Sequence, residues 1–200
     1  MSDAVSGLES PVKFRYWPTR SQFGMLAFLA SLTIFFASLV IAYAWVLQDR
    51  PRLQTLTVPD ALWWSTWLLA ASGLTLATAR WAARRALLGP YRGLAIVTLL
   101  LGVGFLATQT LACLDLARQN LYVTANPHGS MFYVFTGFHA LHLIGGLIGL
   151  FLVVQQAFQL HDGEESPLRR ARGRAQMVAY YWNFVIVSWL VLFWLLLRWA

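Results

Sequence analysis

Charge is scarce in this chain, and what there is falls in a few short stretches. Only 12% of the 200 residues are charged while 58% are apolar, against about 25% charged in an average soluble domain. A soluble core of this size cannot hide so much apolar surface, so lipid must be the solvent for much of it. There is one cysteine, Cys113, which excludes an intrachain disulfide and a cysteine-based metal site. Acidic residues number 8 against 15 basic ones, a net charge of +7. In a soluble protein that surplus would raise nucleic acid as a partner. Here the basic residues sit between long apolar runs, so membrane topology accounts for them and no nucleic acid is invoked. Also missing are a Gly-rich phosphate loop, a Ser–His–Asp pattern and a paired carboxylate at membrane depth. No catalytic residue is visible.

What is present is a series of uncharged runs. Asp, Glu, Lys and Arg are absent from Ser21 to Gln48, Ala61 to Ala79, Gly93 to Leu114 and Ala175 to Leu197, stretches of 28, 19, 22 and 23 residues. About 20 residues are needed to cross the hydrocarbon. A fifth uncharged stretch, Gln119 to His161, has 43 residues. Its Asn126-Pro-His-Gly129 reads as loop, and its apolar part is one further span. The first run is too long for the apolar region of a signal peptide. Backbone groups in lipid must be satisfied within the segment, so the spans are helices. The expectation is therefore an all-α, polytopic transmembrane bundle of five spans, at about 23–47, 61–80, 93–114, 132–158 and 177–199. A polar N-terminal segment, 1–20, precedes the transmembrane domain, 21–200.

Orientation follows from Lys and Arg. Eleven lie in the N-terminal segment and in the second and fourth loops, against four (Arg50, Arg52, Arg118, Arg198) on the other side. The positive-inside rule puts the N-terminus in the cytoplasm and the C-terminus outside. The fourth loop, His161 to Arg174, holds Arg169, Arg170, Arg172 and Arg174. These are candidates for anionic lipid headgroups; a plain topology signal is the simpler reading. Trp and Tyr gather near the expected span ends, at headgroup level.

Polar groups inside a span are costly and so point to function. His139 and His142 lie three apart and share a helix face. They could ligate metal or haem, relay protons, or hydrogen-bond between helices. The first needs ligands that no other expected span supplies, and the second needs an intramembrane carboxylate that is lacking. Interhelical hydrogen bonding is the reading preferred. Gly145 and Gly149 form a small-xxx-small pair, as do Gly73 and Ala77. Such pairs allow close helix approach, either within the chain or against another subunit. Asn183 is the one strongly polar candidate for a buried position in the last span, and Asp115 is expected at the interface. No inverted pair of broken helices of the kind used by transporters is visible, which leaves a small stand-alone transporter as the weaker alternative.

At these motifs the sequence resembles the cytochrome c oxidase subunit III family. That family carries Thr-Gly-Phe-His-x-Leu-His-Val with nearby glycines; here Thr136-Gly-Phe-His-Ala-Leu-His-Leu143 includes Gly137 and is followed by Ile144-Gly-Gly146. The family's last helix begins Tyr-Trp-His-Phe-Val-Asp-Val-Val-Trp; here it is Tyr181-Trp-Asn-Phe-Val-Ile-Val-Ser-Trp189. Weaker echoes are Ser65 to Thr75 and Leu101 to Gln109.

The resemblance implies a five-helix form without the first two helices of seven-helix members. It implies a multi-pass, non-catalytic subunit in the bacterial inner membrane, within a respiratory chain that couples electron transport to proton translocation. Subunit I, which holds haem and copper, would be its principal partner, with subunit II, small subunits and membrane lipids beside it. No cofactor is expected in this chain, though bound phospholipid is. Three acidic family positions are apolar here, at Leu32, Ala112 (in Gln109-Thr-Leu-Ala112) and Ile186. The departures leave the packing role intact and raise an alternative, a subunit III-like accessory protein of a nitric oxide reductase.

Overall fold

The computed structural model describes residues 20–48, 60–118, 127–161 and 165–199. Five helices form there: α1 (Arg20–Gln48), α2 (Asp60–Arg84), α3 (Leu88–Arg118), α4 (Pro127–Gln159) and α5 (Glu165–Trp199). Four of them, α1, α3, α4 and α5, are long and apolar enough to cross a membrane. Residues 1–19, which include most of the expected N-terminal segment, lie outside the described residues, as do Arg50, Arg52 and Asn126.

Two expected loops are helical. Pro127 to Gly129 opens α4, and most of the basic stretch before Ala175 belongs to α5. Proline in a first helical turn lacks only an N–H that would have no partner there, so Pro127, Pro90 and Pro167 each sit in the first turn of a helix. Arginine is a good helix former, and charge marks the end of hydrocarbon without marking the end of a helix.

α2 and α3 form a hairpin. Leu87 N–H donates to the Ala82 carbonyl (3.0 Å) and Ala86 N–H to that of Ala83 (3.2 Å), the paired bonds of a Schellman cap. The cap needs a left-handed residue; Ala86 supplies it at φ 58°, a position where glycine is the usual occupant.

The helices α2, α3, α4 and α5 close a ring, each packed on the next, while α1 touches only α4 and α5. Buried positions step by three and four: 62, 65, 69, 72, 76 and 79 on α2, then 91, 95, 98, 102, 105, 109 and 112 on α3, with similar rows on α4 and α5. That is the seam of a left-handed helical bundle. Its central cluster includes Leu62, Leu69, Phe105, Leu143, Leu150, Trp182 and Trp189. A second cluster, rich in alanine around Tyr91 (Ala79, Ala82, Ala83, Ala157, Ala171, Ala175), fills the end bearing the α2–α3 turn.

Candidate functional site

The centre of the ring is built on Trp182. Its side chain is fully buried and lies between two helices that carry glycine opposite it. A Cβ on Gly102 of α3 would stand 2.9 Å from the indole, and one on Gly146 of α4 would also stand 2.9 Å from it. Both distances are well inside van der Waals contact, so only glycine leaves room. The indole Nε1–H donates to Ser72 Oγ of α2 at 2.9 Å, and the Ser72 hydroxyl donates to the Leu69 carbonyl at 2.6 Å. One α5 side chain thus joins the other three members of the ring. A parallel link runs from Trp189 Nε1–H to Thr66 Oγ1 at 3.0 Å, and Thr98 bridges to Thr75 at 2.9 Å.

His139 lies one layer away and is 1% exposed. Phe105 of α3 and Trp189 of α5 flank its ring, with centroids 6.1 and 5.4 Å distant. Its Nδ1 lies 3.4 Å from Ser188 Oγ. The Ser188 hydroxyl also lies within donating distance of the Val185 carbonyl, at 2.9 Å. His139 Nε2 is buried without a partner among the described residues. His142 is turned toward α1. Its Nδ1–H donates to the Phe138 carbonyl at 2.6 Å, and its ring meets Phe36 edge-on at 5.4 Å. The two histidines share a helix face but serve different seams, one inside the ring and one against α1. Tyr181 O–H donates to the His142 carbonyl at 2.9 Å. Among the described residues no group of three or more His, Cys, Asp or Glu is placed to hold a metal ion.

Two arginines close the alanine-rich end. Arg92 donates to the Ala157 and Leu160 carbonyls, at 3.0 and 2.6 Å, at the C-terminus of α4. Arg172 donates to the Ala83 and Arg84 carbonyls, at 2.8 and 3.1 Å, at the C-terminus of α2. Each places a cation where the last carbonyls and the negative end of the helix dipole meet.

Other residues singled out in the sequence divide. Gln109 is buried in the ring, its Oε1 unpartnered. A Cβ added at Gly149 would stand an ordinary 3.4 Å from Val178, and one added at Gly145 would stand 3.4 Å from the Tyr181 hydroxyl. A Cβ added at Gly137 would meet nothing within 4 Å among the described residues. Gly73 is tight, 2.8 Å from Ile186 to an added Cβ, whereas Ala77 is exposed. Arg169, Arg170 and Arg174 are exposed; Arg172 is half-buried and committed to its cap. Asp115 pairs with Arg118 at 3.4 Å near the end of α3. Asn183 is a correction: it is exposed on the outside of the bundle. Trp182 takes the inward position beside it, and successive helical residues point about 100° apart.

Trp182, Ser72, Gly102 and the capping Arg92 were not foreseen in the sequence. The adjacent pair Gly145-Gly146 was the available signal, and only its second member is the one that matters for close packing.

A ring of helices locked by glycine notches and by indole-to-hydroxyl bonds, in a chain with four helices fit to cross a bilayer, is a polytopic helical membrane protein. The family model for cytochrome c oxidase subunit III matches residues 19–200. A probable cytochrome c oxidase subunit 3 of Nocardia farcinica is 31% identical over 186 residues, covering 88% of this chain and 86% of the relative. That of Corynebacterium diphtheriae is 29% identical over 187 residues, with the same coverages. The longer subunit 3 of Squalus acanthias is 31% identical over 186 residues, 86% of this chain and 67% of the relative. The chain belongs to the cytochrome c oxidase subunit III family.

Proposed function

We propose that the chain is the non-catalytic third subunit of a proton-translocating haem–copper terminal oxidase of aerobic respiration. It sits in a bacterial inner membrane against the catalytic subunit and stabilises it. The family match along residues 19–200 carries this reading. The interior supports it, since Ser72, Thr98, Trp182 and Trp189 spend their polar groups on joining helices. Redox centres would belong to the partner subunits, and this chain would supply shape and rigidity.

On this reading all five helices cross the membrane. α2 lacks a stretch as apolar as those of the other four helices, but its 25 residues reach about 37 Å, more than the ~30 Å hydrocarbon, and it runs back along α3 from a three-residue turn. Its hydroxyls at Ser65, Thr66, Ser72, Thr75 and Thr78 bond carbonyls one turn earlier, which lowers the cost of placing them in lipid. The N-terminus faces the cytoplasm, and so does the arginine-rich end, where Arg80, Arg84 and Arg172 line a small surface pocket. The exposed Arg169, Arg170 and Arg174 are then placed to meet anionic headgroups.

The test is purification of a tagged chain from native membranes, with identification of the accompanying chains and a reduced-minus-oxidised spectrum. A larger haem-bearing chain in fixed ratio is expected, with oxygen consumption. Nitric oxide turnover by that complex would instead select the reductase accessory. A chain that purifies alone, or that binds haem itself in stoichiometric amount, would overturn the reading.

A further inference from the structure

The outward face of α5 carries a repeat of its own. Tyr180, Asn183, Val187, Leu190, Trp194 and Leu197 are all exposed, and they step by three, four, three, four and three. This is the spacing of a helix–helix seam, on the side away from the ring. Asn183 stands three residues from Ile186, the centre of the charge-free run Ala175–Leu197, hence about 4.5 Å from its midpoint.

Its carboxamide is bonded to nothing among the described residues. Several other polar groups on the outer faces of the helices have partners, and the exposed, unbonded Gln155 stands only four residues from the end of α4, where headgroups are near. Ser31, Thr33 and Thr110 each bond a carbonyl of their own helix, and Gln176 donates to Tyr180 Oη at 2.7 Å. Acyl chains offer neither donor nor acceptor. Headgroups lie about 15 Å from the midplane, beyond the reach of so short a side chain. An intramembrane amide in this position calls for a polar partner at the same depth.

We propose that this strip of α5 seats a transmembrane helix of another subunit of the same complex. That helix carries a hydroxyl, amide or imidazole side chain facing Asn183 and small residues facing Tyr180 and Trp194. A second copy of this chain fits less well. A two-fold axis along the membrane normal would bring Tyr180 against Tyr180 and Trp194 against Trp194, where large rings crowd one seam. The inference rests on the reading of the chain as an oxidase subunit.

The experiment places a photoreactive amino acid at Val187 in the full chain, in membranes that contain the whole complex. A control carries it at Leu111, on the outer face of α3. The expected result is an adduct from Val187, and none from Leu111, with one subunit that also co-purifies with the wild-type chain. Asn183→Leu should lower recovery of that subunit roughly three- to tenfold while the melting temperature of the purified chain stays unchanged, and Asn183→Gln should restore recovery. Adducts only with lipid, or with a second copy, would overturn the inference, as would undiminished recovery with Asn183→Leu. If the wild-type chain brings down no haem-bearing chain, the functional reading itself fails. If it does and Val187 reaches no other subunit, only this inference fails.

Discussion

Replacing Gly146 with alanine should destabilise the bundle, whereas the same change at Gly137 should not. The pair isolates a single contact. Both glycines lie within α4, and alanine is favoured over glycine in a helix interior by about 1 kcal/mol, a gain common to both variants. At Gly137 the new methyl meets nothing within 4 Å. At Gly146 it would stand 2.9 Å from Trp182 Cε3 and Cζ3 and 3.2 Å from Tyr181. The indole cannot easily withdraw, because Gly102 of α3 bounds it on another side and Ser72 holds its nitrogen at 2.9 Å. Overpacking of this kind costs about 1–3 kcal/mol, so the two variants should differ by that amount. For a chain of this length the difference corresponds to about 2–12 °C in Tm. Thermal or denaturant unfolding of the purified chain in one detergent, followed by tryptophan fluorescence, measures it. The Trp182→Phe change loses the bond to Ser72, about 1 kcal/mol, and leaves unfilled space. In the Gly146→Ala background it also removes the clash, so the double variant should be more stable than the summed single losses. Equal stability of the two glycine variants, or strict additivity in the double variant, would refute the argument that Trp182 is wedged between glycines.

Arg92→Met keeps the side-chain stem but removes both bonds to the end of α4; a loss of about 1–3 kcal/mol is expected in the same unfolding assay, with partial recovery for Arg92→Lys. Ala86→Gly relieves a left-handed alanine at φ 58° and should raise stability by up to about 1 kcal/mol, whereas Ala86→Val should lower it. His139→Ala opens the layer between Phe105 and Trp189, and should reduce the amount of complex assembled more than the turnover of the complex that forms. Normal assembly with abolished proton pumping would contradict a packing role for that histidine.

The helices were legible because charge is expelled from hydrocarbon, and each uncharged run became the middle of a helix. Their ends were not, because a helix continues into water wherever propensity allows; Pro127 and the arginines before Ala175 therefore lie inside helices. Which side of each helix faces inward was the harder question. In water the outer face would be polar and the pattern would declare itself. In lipid both faces are apolar, and the inner seam here carries Ser72, Thr98, Gly102, Gly146 and His139 while the outer one carries Leu, Val and Trp. That inversion explains why Asn183 was expected inside and Trp182 was passed over. His139 was found because an ionisable side chain at membrane depth stands out whatever its direction.

The Trp182 wedge also bears on how the chain is made. Ribosomes deliver α5 after the four helices before it, so its binding slot must be assembled from Ser72, Gly102 and Gly146 before the indole arrives. Until then the ring has three sides and an open groove. A chain stalled before α5 enters the bilayer would expose that groove, and proteolytic surveillance could recognise it. The last span is in this sense the latch of biogenesis, and lesions in α5 should appear first as shortened lifetime of the newly made chain.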